Sequence, residues 1–258
     1  MWDLQALEGH WLSCMASAAG GGQVLRLAGA TVLANPRSGL TMLNCMLFKG
    51  VSPDRLDPLL EVGRIALAAH SRPPALFLSP LSGDLPQLEG ALVERGWRPA
   101  LRQAVLVRDL ATALPEVPEG APAAAVTSDL KRWGELLAEA YEVPLALSED
   151  LRTAWTGMGD QARHYLTYLE GQPIGTGLTW QQGAIAGLYA GAVLPGFRRR
   201  GAERASLLQR MGDARRNGAQ TALLQTEAGS PVEQLCLGQL GFQRAYERSL
   251  WLPASPRR

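Results

Sequence analysis

A nine-residue segment, from Val193 to Gly201, constrains the fold of this chain more than any other part of its sequence. It contains three consecutive arginines and lies between a predicted strand (184–194) and a predicted helix (202–217). Cations repel the positive end of a helix unless an anion lies between them. The segment therefore predicts an anion-binding strand–loop–helix unit, with Gly201 allowing close approach of the backbone. The segment lacks the Walker A and G-x-G-x-x-G patterns of other phosphate-binding loops. The alternative to an anion site is a run of arginines exposed to solvent at the start of a helix.

Strands and helices alternate on both sides of this segment. The uncharged run from Gly171 to Phe197 alternates around a turn and carries glutamines, prolines and glycines, which favours a buried β-hairpin over a membrane span. The other predicted elements are a strand at 124–126, a helix from Asp129 to Tyr141 capped by Ser128, a helix at 149–156, strands at 164–169, 221–226 and 242–252, and a helix that begins at Ser230 and Pro231.

Composition and charge exclude several classes of partner. The 258 residues carry a net charge of +1, which gives no signal for nucleic acid. The part from Pro195 onward is net basic and the part before it net acidic, which favours a local anionic ligand over a polyanion. The three cysteines and three histidines are dispersed, so we expect neither a disulfide framework nor a metal site. A cytoplasmic protein without membrane contact is expected.

The same segment carries a resemblance to a known family. Val193-x-Pro195-x-Phe197-Arg198-x-Arg200-Gly201 resembles the acetyl-CoA-binding motif V-x-P-x-[YF]-R-x-[RK]-G-x-[GA] of the GNAT superfamily of N-acetyltransferases. A second block, from Ser230 to Phe242, ends in Leu-Gly-Phe like the family's corresponding helix and strand. The resemblance spans about residues 124–252. It implies an α/β (α+β) fold in which a mixed, mostly antiparallel twisted sheet is flanked by helices.

The resemblance also implies a cosubstrate, acetyl-CoA, and a direct transfer of its acetyl group to an amine with no acyl-enzyme. The backbone of Ala192 and Val193 would face the thioester and pantetheine between two splayed strands, and amides from the arginine-rich loop would bind the pyrophosphate. Ser230 stands where the family often has an asparagine near the pantetheine. The predicted cofactor-binding residues are Ala192, Val193, Arg198, Arg199, Arg200, Gly201, Ala202, Glu203, Arg204 and Ser230.

Two positions depart from the family pattern. Glu203 occupies the second small position of the motif, where a carboxylate would be repelled by pyrophosphate unless it points away or pairs with an arginine. Leu237 replaces a tyrosine that often protonates the leaving thiolate in this family, and leucine has no proton to donate. The neighbouring Cys236 is expected to be a buried structural thiol.

The identity of the general base is open. Glu227 ends a predicted strand, Tyr189 lies on the strand before the arginine-rich segment, and Glu142 follows the helix that lines the acceptor cleft in the family. These three residues are the catalytic candidates, and each is also compatible with a structural role. Trp155 is expected in the core or in the wall of the acceptor pocket.

The first half of the chain repeats the second in a degenerate form. Residues from Gly96 to Arg102 echo those 145 positions later, and a helix (56–69), a strand (75–78) and a helix (85–95) precede them. The predicted domains are a degenerate GNAT-like domain at 1–112, a proline-rich linker at 113–123 and an acetyl-CoA-binding GNAT domain at 124–258.

The degenerate half is not expected to bind a pyrophosphate. Residues 51–57 have no R-x-x-G and carry two aspartates. This half would therefore be structural or would shape the acceptor cleft. A turn at 35–39 is expected to face the other domain.

The sequence thus predicts an acyltransferase, an acetyl-CoA-dependent N-acetyltransferase of GNAT type. Its acceptor would be a primary amine of a small molecule or peptide, and its state a monomer or homodimer. A non-catalytic acyl-CoA-binding sensor or interaction protein is the alternative, supported by Leu237 and by the lack of a clear base. A peptidyl or aminoacyl transferase is a third class, for which the sequence indicates no tRNA-binding surface.

Overall fold

The computed structural model describes residues 2–254, so the predicted domain ends at Met1 and 255–258 lie outside the described residues. Within this range the helices are α1 (Leu4–Ser17), α2 (Leu56–Ala68), α3 (Leu85–Glu94), α4 (Leu130–Ala140), α5 (Leu145–Thr156), α6 (Ala202–Arg216) and α7 (Pro231–Gln239). The strands are β1 (Gln23–Leu27), β2 (Ala30–Ala34), β3 (Cys45–Phe48), β4 (Leu76–Leu78), β5 (Trp97–Asp109), β6 (Ala123–Val126), β7 (Ala162–Leu169), β8 (Gln172–Gln182), β9 (Ile185–Val193), β10 (Thr221–Glu227) and β11 (Gln243–Pro253). No helix in the described part of the chain is long and apolar enough to cross a membrane.

The strands form a single sheet in the order β1-β2-β3-β4-β11-β5-β10-β9-β8-β7-β6. β5 belongs to the first half of the chain, yet it lies between β10 and β11 and runs antiparallel to both. β11 in turn pairs with β4. The two halves therefore exchange strands within one continuous sheet. The predicted domain limits at 1–112 and 124–258 stay a prediction.

The internal echo of the sequence corresponds to a repeated structural unit. The order β3, α2, β4, α3, β5 in the first half matches the order β9, α6, β10, α7, β11 in the second. β3 and β4 are parallel neighbours, as are β9 and β10. Gly96 and Gly241 hold equivalent places before the last strand of each unit, and both have positive φ values, of 78° and 66°. Glycine suits this turn because it adopts left-handed backbone conformations without strain.

Most predicted elements of the second half are present with shifted ends. The hairpin predicted at 171–197 is confirmed as β8 and β9, which pair antiparallel. Ser230 caps α7 by accepting a hydrogen bond from the amide of Glu233 at 3.2 Å. The predicted Ser128 cap is wrong, because the carboxylate of Asp129 caps α4 instead. α5 begins four residues before the predicted start at 149.

Helix α1, which the sequence analysis missed, joins the two halves through a shared core. Its buried face carries Trp11 and Met15. These residues belong to one hydrophobic cluster with three buried tryptophans of the second half, Trp133, Trp155 and Trp180. The turn at 35–39 also reaches the second half, as expected, since the amide of Gly39 donates to Asp150 at 2.6 Å.

Candidate active site

The candidate site begins where two parallel neighbours of the sheet separate. β9 and β10 pair over 185–188 and 221–224 and then diverge. Beyond that point β9 stays paired with β8, and β10 with β5. The facing edges, at 189–193 and 225–227, therefore enclose an open V. No second strand pairs with these edges among the described residues. The carbonyl oxygens of Tyr189, Gly191 and Val193 accept hydrogen bonds from side chains, and the backbone groups without such a partner are available to a ligand.

A bulge in β9 lies at this V. The register between β8 and β9 shifts between Thr176 and Leu178, and Ala190 has a left-handed φ of 46°. Arg210 of α6 is 1% exposed, and its guanidinium donates to the carbonyl oxygens of Leu178, at 3.3 Å, and Tyr189, at 3.1 Å. A side chain at Gly177 would come within 2.9 Å of that guanidinium. The buried arginine thus holds the bulge in place.

One cavity, of about 690 Å³, lies beside the loop that follows β9, and we call it the loop cavity. Pro231 and Val232, at the start of α7, form its opposite wall. Eight of the ten residues predicted to bind the cofactor line it: Ala192, Val193, Arg198, Arg199, Gly201, Ala202, Glu203 and Arg204. The structure thus brings most of the predicted set together around one space.

The loop itself has the backbone geometry of an anion-binding turn. Arg199 and Gly201 both adopt left-handed conformations, with φ values of 64° and 80°. Gly201 precedes α6, and no described side chain caps this helix. The first backbone N–H groups of α6 therefore have no partner within the helix. Such groups, together with the positive helix end, favour an anionic ligand.

Five of the predicted side chains have partners within the chain, among them Glu203, which faces Arg210, and Arg204, which donates to the carbonyl oxygen of Glu116 at 2.8 Å. The guanidinium of Arg198 donates to the carbonyl oxygen of Ala140 at 2.9 Å and so ties the loop to α4. Arg200 stacks over the ring of Phe197 at 5.6 Å. The hydroxyl of Ser230 caps α7. These contacts fix the positions of the side chains, and their role in binding stays a prediction.

A second cavity, of about 390 Å³, meets the loop cavity at the open V, which we call the junction. We call this second space the central cavity. Its walls come from both halves of the chain. The first half supplies Trp11, Met15, Leu40, Thr41, Met42, Phe77, Leu101 and Gln103, and the second half supplies residues that include Tyr141, Trp155, Tyr189, Gln225, Glu227 and Arg248. Gly191, Glu203 and Val232 line both cavities, so the two spaces meet at the open V.

Glu203 stands at this junction. Its side chain is 20% exposed, and its Oε1 lies 3.8 Å from Nη2 of Arg210. The carboxylate thus faces an arginine, which relieves the repulsion that the sequence predicts at this position. Desolvation raises the pKa of Glu203, and the charge of Arg210 opposes part of this rise. In the sequence, the only sign that Glu203 has a role of its own is that it stands at a position where the motif has a small residue.

Two tyrosine hydroxyls lie beside the central cavity. The hydroxyl of Tyr141 reaches inward and donates to the carbonyl oxygen of Gly191 at 3.3 Å, although the residue as a whole is 48% exposed. Desolvation and the nearby charge of Glu203 raise the pKa of Tyr141 to about 12. Tyr189 is buried, its hydroxyl lies 3.2 Å from Nδ1 of His10, and burial raises its pKa well above its usual range. Both hydroxyls are therefore protonated at neutral pH, so neither can act as a base, and the raised pKa also makes each a weaker acid than an ordinary tyrosine.

The other residues singled out by sequence lie at the margins. Glu227 is exposed and lines the central cavity at the end of β10. Glu142 is exposed, pairs with Arg198 at 3.0 Å and is not among the described residues lining either cavity. Leu237 is 41% exposed and also absent from both linings. Cys236 is confirmed as a buried thiol, and burial raises its pKa to about 12. Residues 2–254 contain no group of His, Cys, Asp or Glu side chains arranged to hold a metal ion.

Comparison with known proteins identifies the fold. No protein-family model and no curated protein match this chain. A solved GCN5-related N-acetyltransferase (GNAT) from Kribbella flavida is 18% identical with a TM-score of 0.76, and the alignment covers 99% of this chain and 97% of that one. Another, from Sphaerobacter thermophilus, is 19% identical with a TM-score of 0.64, and the alignment covers 89% of this chain and 79% of that one. A tandem GNAT protein from the clavulanic acid biosynthesis pathway is 17% identical with a TM-score of 0.55, over 99% and 97%. At these identities the likeness establishes the fold, and it confirms the resemblance seen in the sequence: this chain has the GNAT fold over nearly its whole length.

Proposed function

We propose that this protein is an N-acetyltransferase that transfers the acetyl group of acetyl-CoA to the primary amine of a small molecule. The observation that carries the proposal is the meeting of two cavities at the open V between β9 and β10. One cavity has an anion-binding loop and the other is walled on several sides by both halves of the chain. This arrangement suits a reaction in which a thioester and an amine approach each other from opposite sides.

The loop cavity fits the chemistry of a CoA thioester. The uncapped start of α6 and the left-handed turn at Arg199 and Gly201 suit a pyrophosphate. The edge of β9 at 189–193, which β10 does not cover, offers those backbone groups that accept no side-chain hydrogen bond to an extended amide-containing arm. Arg199 and Arg204 add positive charge at the cavity wall. The chain therefore supplies a phosphate site and a hydrogen-bonding edge that lead to the junction.

The central cavity fits a small amine. An ammonium group must lose a proton before its nitrogen attacks a thioester carbonyl. Glu203 lies at the junction with its pKa raised, which brings the carboxylate closer to the range of an effective base. The leaving thiolate takes up a proton when the C–S bond breaks. We assign this proton to the hydroxyl of Tyr141, in place of the tyrosine that the family often has at the position of Leu237.

Among the candidates from the sequence, Glu227 remains an alternative base because it lines the same cavity. Tyr189 and Glu142 also stay predictions for this role. The raised pKa of Tyr189 and the ion pair between Glu142 and Arg198 make both weaker choices than Glu203.

Calorimetric titration with acetyl-CoA tests the binding step. Gly201→Trp should weaken binding by at least about 100-fold, because a bulky side chain at a left-handed position displaces several hydrogen bonds to a charged group, each contributing about 1.5–3 kcal/mol. Gly90→Trp, on the exposed face of α3, is the control that should bind normally. A folded wild-type protein that does not bind acetyl-CoA contradicts the proposal.

Release of free thiol with a panel of amines tests catalysis. Turnover with at least one amine, lost in Gly201→Trp, supports the enzyme. Tight binding without turnover on any amine supports instead the acyl-CoA sensor, which the leucine at 237 favours.

A further inference from the structure

Arg248 is a buried cation in the wall of the central cavity. It lies on β11, is 3% exposed and is flanked by the rings of Trp11 and Phe77, whose centres are 4.0 and 4.6 Å from the guanidinium carbon. Burial lowers the pKa of Arg248, and Glu8 of α1 opposes this only through longer-range electrostatics. A buried charge without a close counter-ion is costly, and an arginine stays charged under these conditions. The ring contacts offset part of this cost.

The hydrogen bonds around Arg248 leave one donor of the arginine and one donor of Gln225 without partners among the described residues. Its Nε donates to Oε1 of Gln103 at 2.9 Å, and one of its terminal nitrogens donates to Oε1 of Gln225 at 2.7 Å. The other terminal nitrogen, Nη1, is buried and has no partner among the described residues. Nε2 of Gln225 is also buried without one. Because the arginine takes up the oxygen of Gln225, the amide cannot flip to satisfy its own nitrogen.

Both unpartnered donors belong to residues that line the central cavity. Two N–H donors on residues that are hydrogen-bonded to each other, one of them cationic, match a group that accepts through two oxygens and carries a negative charge. A carboxylate has this chemistry. The guanidinium is also fixed in place, since Gln103 and Gln225 accept from two of its nitrogens and the rings of Trp11 and Phe77 lie over it.

The strand register places a carboxylate of the protein in the same row. Gln103 of β5 is opposite Arg248 on one side and opposite Glu227 on the other. Residues directly opposite each other point to the same face of a sheet. Two strand spacings separate the outer members, which corresponds to about 9–10 Å. The cavity thus has a cation at Arg248 and carboxylates at Glu227 and Glu203, of which Glu203 also faces Arg210.

We propose that Arg248 and Gln225 form a carboxylate subsite, so that the acceptor is an amine that carries a carboxylate on the same small molecule, as amino acids do. This inference rests on the proposed function, and it adds the class of acceptor. The carboxylate binds at Arg248 and Gln225, and the amine faces the junction of the two cavities. The first half of the chain then has a defined part in the reaction, because Trp11, Phe77 and Gln103 hold the arginine.

The test compares L-amino acids with the corresponding L-amino acid amides, which keep the amine and the side chain and lose the negative charge. Thiol release with acetyl-CoA should show a KM about 10- to 100-fold lower for at least one amino acid than for its amide, with a smaller change in kcat. Arg248→Met should abolish this preference while retaining the affinity for acetyl-CoA. Gln225→Leu should reduce the preference and provides a second variant if Arg248→Met does not fold. Arg26→Met, at an exposed arginine of β1, should behave as wild type.

The outcomes separate this inference from the proposed function. Equal or better turnover of the amides overturns the carboxylate subsite and leaves the acetyltransferase intact. If no amine is turned over, calorimetric titration with the same amino acids and amides decides directly. Binding of an amino acid and not its amide, lost in Arg248→Met, supports the subsite even without catalysis. Absence of any such binding overturns it.

Discussion

The two strand–helix–strand units of this chain share an arrangement, but the parallel strands separate in the second unit, and in the first unit the chain stays paired beyond them. In each, two parallel strands are connected through a helix, β3–α2–β4 in the first and β9–α6–β10 in the second. β9 and β10 separate after four paired residues. In the first unit the chain stays hydrogen-bonded beyond the strand ends. The amide of Gly50 donates to the carbonyl of Leu81 at 2.9 Å, and the amide of Val51 to that of Ser82 at 2.7 Å.

Local chemistry accounts for this difference. The pairing of β2 with β3 is regular, whereas that of β8 with β9 carries the bulge held by Arg210. Gly83 has a φ of 137°, and a Cβ there would lie 2.5 Å from the carbonyl oxygen of Val51, so the closed junction has no room for a side chain. Asp54 precedes α2 and Asp57 lies in its first turn, where the second unit has arginines before and at the start of α6. We therefore expect the proposed anion site to depend on the bulge, the opening and positive charge as well as on the fold.

The largest effect is expected when the bulge of the second unit loses its anchor. Arg210→Met should lower the free energy of unfolding by about 3 kcal/mol, because buried carbonyl oxygens lose a charged donor and Glu203 loses its partner. It should also abolish acetyl-CoA binding. Urea unfolding and calorimetric titration measure the two effects.

The matching helix of the first unit offers a control for this variant. Arg64 lies on the exposed face of α2, where it pairs with Glu61 at 2.6 Å. Arg64→Met should change neither stability nor acetyl-CoA binding measurably, because exposed ion pairs contribute little. Equal behaviour of the two arginine variants would contradict the role given to Arg210.

A second variant tests the chemistry at the junction. Glu203→Gln should lower kcat by about 100-fold, the scale of a general base, with acetyl-CoA affinity retained. Because the pKa of Glu203 is raised and the ionised form is the base, wild-type kcat should increase with pH through that pKa. The variant should lack this rise. Glu61→Gln, on the matching helix, is the control that should keep the wild-type rate and profile. An unchanged kcat and pH profile in Glu203→Gln would transfer the role of base to Glu227.

A third variant disturbs the closed junction of the first unit. Gly83→Ala should lower the free energy of unfolding by about 2 kcal/mol, because alanine is strained at a positive φ and its Cβ meets the carbonyl of Val51. Gly90→Ala, on the exposed side of α3 with free space around it, should instead stabilise the protein by about 0.5–1 kcal/mol. Acetyl-CoA affinity should not change in either variant. Loss of affinity in Gly83→Ala would show that the closed junction is coupled to the open one.

Features of the fold and site that depend on neighbouring residues in the sequence could be predicted, and features that depend on contacts between distant segments could not. The loop at 198–204, the hairpin and the Ser230 cap have local signals, and the structure contains them. The insertion of β5 between β10 and β11 has no local signal, because strand periodicity shows which face is buried and not which strand lies alongside. α1 had a usable signal, since Asp3 precedes apolar residues with helical spacing.

The two residues on which the site proposals depend had weaker signals. Glu203 was visible only as a departure from a motif. Arg248 was missed, although Tyr246, Arg248 and Leu250 alternate along the last strand and put a charge at an inward position. Its unpartnered donor depends on Gln103 and Gln225 from two other strands, which only the folded sheet brings together.

The smallest effect is expected where the first half packs against the open unit. His10 of α1 contacts the ring of Trp180 and the hydroxyl of Tyr189, and burial lowers its pKa to about 4. Since the unfolded chain takes up this proton near pH 6.5 and the folded chain only near pH 4, stability should fall as the pH decreases through this window. Urea unfolding should show a loss of about 1 kcal/mol from this residue between pH 6.5 and 5.5. His10→Asn should lack that part of the loss. Identical pH dependence of stability in the two proteins would mean that His10 of the first half makes no titrating contact with the wall of the central cavity.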